Sequence, residues 1–238
     1  MRPAFYALEG GGWRDYVTLL HPPYTAWHLS YVVVGGCLAP TVAWGRLGLT
    51  VLAFFLALGI GAHALDELGG RPLGTAIPRS MLIALSLLSV TGACAIGVAV
   101  ALAFSLWILV AVAIGAFLVP AYNLELFGGR FHTDPWFGVA WGGFPVLTGY
   151  LACAGDLRAE AVLLAAWATL LSLAQRRLST QVRRARRQVV AVRGEVELAG
   201  GGREAVTRDT FCAAPEAALR LLAAATVLAA MALVAFRL

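Results

Sequence analysis

The chain has no lysine and few charged residues of any kind. Only 13% of its 238 residues are charged, whereas 60% are hydrophobic. The mean hydropathy of +0.79 is typical of a protein that crosses a membrane several times and is outside the range of soluble domains. The composition therefore predicts an integral membrane protein with membrane lipids around it, and we expect no nucleic-acid partner.

Several sequence features that would indicate other classes of protein are also missing. The four cysteines are scattered and none forms a CxxC pair, so we expect buried free thiols instead of a disulfide or a zinc site. Residues 1–23 contain charges and prolines but no long apolar run, which argues against a cleavable signal peptide. The chain has no Walker loop, no GxSxG elbow and no dinucleotide fingerprint.

Apolar runs of about 20 residues predict the spans, because about 20 helical residues cross a hydrocarbon core. We expect an all-α integral membrane protein, a bundle of about seven transmembrane helices. The chain then divides into an N-terminal segment 1–23, a six-helix membrane core 24–175, an arginine-rich loop 176–215 and a last transmembrane helix within 216–238. The expected spans are residues 24–44, 47–65, 82–102, 104–122, 136–154, 159–175 and 216–236.

The distribution of arginine predicts the orientation. With seven spans, the N terminus shares one side with the loops 66–81, 123–135 and 176–215, and this side carries 14 of the 18 arginines. By the positive-inside rule that side is cytoplasmic, so we expect a cell-membrane protein with its N terminus and its arginine-rich loop in the cytoplasm.

A polar cluster marks the end of the second span. His63, Asp66 and Glu67 stand at i, i+3 and i+4, which places them on one helix face. Asp66 and Glu67, with His63 beside them, could hold Mg²⁺, which prefers carboxylate oxygens and often keeps a phosphate as co-ligand. Arg71 could pair with that phosphate. The alternative is an ordinary interfacial helix end with a local Glu67–Arg71 ion pair.

A second polar motif ends the fourth span at the same depth. We expect Asn123 as a substrate-binding residue and Glu125 as a metal ligand, and we expect both to face the first cluster across a cavity. Polar groups near the hydrocarbon edge are tolerated best when they face one another or water. The alternative is a solvated loop behind Tyr122 as an interfacial anchor.

Six arginines follow the sixth span within residues 175–187. Arg176 and Arg177 are nearest to the membrane and could reach a diphosphate in the cavity. The alternative is a stretch that sets the topology and binds anionic lipids, as polybasic juxtamembrane segments do.

The order of these motifs resembles the UbiA-type membrane prenyltransferase superfamily over roughly residues 12–155. The likeness rests on residues 16–24 before the first span, Gly70-Arg-Pro-Leu-Gly74 after the second, Tyr122-Asn123 at the end of the fourth and the glycine-rich residues 138–149 at the fifth. The resemblance implies a helical bundle that binds an isoprenyl diphosphate through Mg²⁺, held by two aspartate-rich motifs on the cytoplasmic side. It also implies transfer of the prenyl group to an aromatic or lipid acceptor.

The chain departs from the metal-binding motifs of that family. The first motif, NDxxDxxxD, retains only Asp66, with Glu67 beside it, and the place of the second motif, residues 175–181, holds no carboxylate. A pair of Mg²⁺ ions needs several carboxylates, although arginine can partly replace them as a charge clamp. We therefore expect a divergent prenyltransferase. The alternative is a non-catalytic multi-pass protein that binds a lipid or a partner on the same scaffold.

Overall fold

The computed structural model describes residues 3–238; the first two residues of the expected N-terminal segment, with Arg2, lie outside the described residues. Residues 3–238 are mostly helical. A short helix α1 precedes seven long helices, and a two-stranded antiparallel hairpin of β1 and β2 joins the last two of them. The bounds are α1 Trp13–Leu19, α2 Pro22–Leu38, α3 Trp44–Leu68, α4 Arg79–Ala103, α5 Ile108–Asn123, α6 Asp134–Ala154, α7 Ala159–Arg187, β1 Glu195–Glu197, β2 Arg203–Ala205 and α8 Arg208–Arg237.

Four of these helices, α3, α4, α6 and α8, are long and apolar enough to cross a membrane, and α5 is a shorter apolar helix. Large apolar side chains point outward from several helices, where a soluble protein would place polar ones. Examples are Leu87 and Leu88 on α4, Leu163 and Leu170 on α7, and Leu221 and Leu228 on α8. The helical architecture predicted from the sequence is confirmed, and it is compatible with a membrane protein.

The basic segment differs from the expected loop. Helix α7 continues through the arginines to Arg187, and α8 already begins at Arg208, so the connection shortens to residues 188–207. The reason is a stripe of buried small residues that outlasts the apolar run, since Ser179, Val182 and Ala185 are all buried at helical spacing.

An ion pair also holds the basic end of α7 against α8. Arg186 donates through two nitrogens to the carboxylate of Glu216, whose side chain is only 8% exposed. Paired in this way, a guanidinium can remain in a partly buried helix contact. Arg220, four residues after Glu216 on α8, lies 4.0 Å from the same carboxylate, so the closer partner of Glu216 is Arg186 on the other helix.

Helices α2 and α6 meet at glycines. A Cβ added at Gly35 would lie 2.1 Å from the carbonyl oxygen of Val146, and one added at Gly149 would lie 2.1 Å from that of Val32. Only glycine permits this approach of two backbones. The contact fixes α2 and α6, two of the helices that build the site described next.

Two helices contain turns of π-helix near one end of the bundle. Residues Phe55–Ala62 of α3 and Val139–Gly143 of α6 are wound in this way. Such turns are rare and are often found at functional sites. The first ends directly before His63, and the second contains Trp141, so both shape the same region.

Candidate functional site

A cavity of about 630 Å³ opens at the end of the bundle that carries most of the arginines. Its wall contains both polar motifs expected from the sequence. His63 and Asp66 come from the last turns of α3, Asn123 ends α5, and Glu125 follows two residues later. The structure thus brings four of the residues expected at the site together around one space.

Helix α7 supplies a cationic face to the same cavity. Arg176, Thr180, Arg183 and Arg187 all line it, at intervals of four, three and four residues. Arg176 lies 3.1 Å from the carboxylate of Asp134. Its guanidinium also lies 5.2 Å from the centre of the Phe137 ring, within reach of a cation–π contact.

Aromatic and histidine rings form another part of the wall. His21 stacks on His63 with ring centres 4.0 Å apart, and Tyr6 lies 5.2 Å from His21 and 5.4 Å from Tyr24. Burial, followed by the nearby His63, holds the pKa of His21 well below its usual value, so this ring is neutral. Burial likewise raises the pKa of Tyr6, which stays protonated.

Three cavity histidines share one hydrogen-bonding arrangement. The Nδ1 atoms of His28, His63 and His132 lie 2.8, 3.0 and 3.0 Å from backbone carbonyl oxygens of α6, α3 and α5, respectively. A carbonyl only accepts, so each Nδ1 donates, and in the neutral form of such a ring the lone pair is on Nε2. The cavity therefore contains oriented imidazoles that can accept a proton or a hydrogen bond.

Two buried polar atoms of the cavity wall have no hydrogen-bond partner within residues 3–238. They are the hydroxyl of Tyr122 and the side-chain oxygen of Gln175, and both side chains belong to residues that are only 3% exposed. Buried polar groups are nearly always paired with protein or water. These atoms indicate that something other than the protein completes the site.

Glu67 and Arg71 do not line the cavity, in contrast to the metal and phosphate contacts expected of them. Glu67 is fully buried, and its carboxylate accepts from the backbone N–H groups of Leu73 and Thr75 and from the Thr75 hydroxyl, at 2.8 to 3.0 Å. Arg71 donates to the carbonyl oxygens of Thr75 and Ile77. Both side chains hold the loop after α3 in shape.

Arg177 also lies apart from the cavity. Its side chain is 83% exposed and lies 3.8 Å from Asp134. Because α7 is helical here, consecutive residues point about 100° apart, and only Arg176 of the expected pair faces inward.

Sequence reasoning missed Arg183, Arg187, His21 and His28. The arginines could have been found from their spacing relative to Arg176, had the helix been extended through the basic segment. The histidines carry no such signal, because their closeness to His63 depends on how α2 packs against α3.

The residues present do not fit a pair of resident metal ions. No group of three or more His, Cys, Asp or Glu side chains in residues 3–238 is placed to hold a metal. Of the four expected ligands, His63, Asp66 and Glu125 line the cavity without forming such a group, and Glu67 is occupied by the loop.

A second, almost wholly apolar cavity of about 90 Å³ lies between α3, α4, α5 and α6. Leu58 and Trp141 line both cavities. Along α6 the apolar cavity is lined from Ala140 to Ala152, which corresponds to about 18 Å of helix axis. The larger cavity, a polar chamber, and the smaller one, an apolar groove, therefore meet at these two residues.

Comparison with known proteins gives no match, since no family model, curated protein or solved structure is significantly similar to this chain.

Proposed function

We propose that the chain is a divergent UbiA-like prenyltransferase of the cell membrane, with seven spans, that binds an isoprenyl diphosphate in the polar cavity. One observation carries the proposal: a chamber with an arginine face meets an apolar groove at Leu58 and Trp141. An anionic head joined to a hydrocarbon chain matches the chemistry of both parts, with the head in the cationic chamber and the first part of the chain at the apolar groove. The motifs in common with the family add to this support.

The orientation supports access from the cytoplasm. The cavity lies beside the basic end of α7, and the positive-inside rule assigns that end to the cytoplasmic face. Prenyl diphosphates with charged heads then enter from water, while their tails pass into the bundle.

The proposed reaction breaks the bond between C1 of the prenyl chain and the diphosphate oxygen. The electron pair leaves with the diphosphate, the acceptor forms a new bond to C1, and the acceptor loses one proton. Arginines on the cavity wall stabilise the charge that develops on the leaving group. Asp66, whose carboxylate lines the cavity, is the base we propose for the proton.

A second candidate function is binding without catalysis, in which the same cavity holds a phosphorylated lipid or the head of a partner. The observation that favours it is the lack of a metal-binding group among residues 3–238. In that case the protein binds the ligand, but the bond between the diphosphate and the prenyl group is not broken.

Incubation of purified protein with radiolabelled geranylgeranyl diphosphate and a membrane lipid extract tests these candidates. The proposal expects free diphosphate and a labelled lipid product. Saturable binding without product favours the second candidate, and no binding of geranylgeranyl diphosphate contradicts the prenyltransferase proposal.

The apolar groove has its own variant in this experiment. Ala93→Trp on α4 places a large ring in the groove and should weaken binding of long chains more than that of short ones. Leu88→Trp on the same helix is the control, because Leu88 is 75% exposed and lines neither cavity. Equal effects of the two variants would remove the groove from the proposal.

A further inference from the structure

Four arginines of α7 line the cavity, among them Arg184, and the other three form a single cationic face on it. Arg176, Arg183 and Arg187 are seven and four residues apart, so they lie along one side of the helix. They are close enough to one another for their charges to interact unfavourably. Like charges held together beside a partly buried space are stabilised by an anion between them.

The protein itself neutralises only one of the three. Arg176 pairs with Asp134, whereas neither Arg183 nor Arg187 makes an ion pair with any carboxylate of residues 3–238. Arg183 is half-buried, and its one hydrogen bond to a side chain goes to the Thr180 hydroxyl.

The nearby Arg186 differs, because it forms an ion pair with a carboxylate of the protein. It points to the other side of α7 and makes a two-nitrogen contact with Glu216 of α8. Arg186 thus has a carboxylate partner within the protein, whereas Arg183 and Arg187 each donate one hydrogen bond to a neutral oxygen, of Thr180 and of Pro3, and have further N–H donors for a ligand.

An independent observation points to the same space. The hydroxyl of Tyr122 is buried and has no partner within residues 3–238, and the residue lines the cavity with the arginines. A phenolic O–H can donate to a phosphate oxygen. Asn123, next to it, donates one N–H of its side-chain amide to the carbonyl oxygen of Val119 in its own helix.

The carboxylates of the cavity are too few for the metal chemistry expected from the sequence. Asp66 and Glu125 line it, but no three potential ligands come together in residues 3–238. A pair of Mg²⁺ ions around a diphosphate needs several carboxylates, more than the two that line this cavity. Guanidinium groups bind phosphate oxygens directly and in pairs, with no ion between.

We infer that Arg183 and Arg187, with Arg176 and the Tyr122 hydroxyl, bind the diphosphate directly and without a metal ion. The inference rests on the proposed function for the identity of the anion. The inference concerns only the diphosphate head group. We call the three arginines and the Tyr122 hydroxyl, at the cytoplasmic end of α7, the metal-independent clamp.

The test measures binding of geranylgeranyl diphosphate to the full chain in lipid nanodiscs, once with EDTA and once with Mg²⁺. The intact protein should bind in EDTA with an affinity within about threefold of that in Mg²⁺. The double variant Arg183→Gln/Arg187→Gln should lose at least tenfold in both buffers, because both unpaired cations are gone.

A second double variant controls for the loss of two charges. Arg158→Gln/Arg193→Gln removes two exposed arginines that do not line the cavity and should bind as the intact protein does. Thermal unfolding of each variant establishes that it is folded. The EDTA comparison uses the unmodified chain and so does not depend on any variant.

Each outcome decides one question. Binding in Mg²⁺ that disappears in EDTA overturns the clamp and leaves the proposed function in place. Binding in EDTA that survives the Arg183/Arg187 substitutions overturns the assignment of these arginines. No binding in either buffer overturns the proposed function together with the inference.

Discussion

At the scale of single residues, the same side-chain type has different roles according to what surrounds it. Glu67 is fully buried against three donors of one loop, whereas Asp66, one position earlier, lines the cavity. Arg186 is paired with Glu216, whereas Arg187 next to it faces the cavity. Neighbouring residues of a helix point in different directions, so one of each pair supports the fold and the other is available for a ligand.

Glu67→Gln separates a structural role from metal binding. The amide nitrogen cannot accept from the loop N–H groups, so we expect a loss of about 1–3 kcal/mol in the free energy of unfolding. Thermal unfolding in nanodiscs measures it, with Glu195→Gln on the exposed hairpin as the control. Unchanged stability with lost ligand binding would show that Glu67 acts at the site after all.

His21 gives a prediction about pH. Its pKa is lowered in the folded protein by burial and by the neighbouring His63, Arg187 and Arg183, while the unfolded chain takes up a proton near its usual value of about 6.5. The contribution to stability is therefore complete above that pH and is lost as the pH falls below it.

The substitution His21→Asn should make the fall in stability between about pH 7 and pH 5 shallower, because it removes this titration. Asn also tolerates the left-handed backbone that His21 adopts, at a φ of 46°. Melting temperatures of both proteins across this range give the comparison. Identical slopes would mean that the pKa of His21 is not lowered in the fold.

At the scale of helices, the site depends on close contacts between backbones. Gly35 and Gly149 let α2 approach α6, and that approach carries His28 to the carbonyl oxygen of Trp141. The wide turn of α6 around Trp141 belongs to the same arrangement. The orientation of the His28 ring thus depends on Gly35 and Gly149, which lie further along α2 and α6.

Gly149→Ala tests this contact. Its Cβ would lie 2.1 Å from the carbonyl oxygen of Val32, so α2 and α6 must separate, and we expect a destabilisation of about 1–3 kcal/mol. Gly48→Ala in α3 is the control, since nothing lies within 4 Å of the added carbon. If both variants melt alike, the close approach of α2 and α6 is not what holds the bundle.

Local sequence was sufficient to predict the helices and to place Asp66 and Asn123 at one end of the bundle, because apolar runs and helix spacing are local properties. The fate of Glu67 was not predictable, since its partners at Leu73 and Thr75 depend on how the loop folds back.

The sequence predicted that α7 ends at residue 175, because the run of arginines that follows is typical of a loop. The helix continues because Ser179, Val182 and Ala185 are buried at helical spacing, which is a local pattern. It also continues because Arg186 pairs with Glu216 of α8, which local sequence does not predict.

At the scale of the whole molecule, charge and hydrophobicity are segregated. The arginine face, the polar cavity and the basic end of α7 gather at one end, and the apolar groove extends from there between four helices. This segregation is the basis of the proposed binding of an isoprenyl diphosphate.

The proposed topology makes a direct prediction. A reporter fused at Gly128, after α5, should be cytoplasmic, and one fused after Leu238 should be on the opposite side, because seven spans separate the termini. Alkaline phosphatase and fluorescent-protein fusions give opposite readouts for the two sides. Signals from one compartment at both positions would contradict the seven-span arrangement.

The most direct measurement is an experimental structure of the protein with a non-hydrolysable prenyl thiodiphosphate. The account predicts the phosphorus atoms within hydrogen-bonding reach of Arg183, Arg187 and the Tyr122 hydroxyl, with the chain passing Leu58 and Trp141 into the apolar groove. A head group bound outside the cavity, or a chain lying on the outer surface of the bundle, would contradict it.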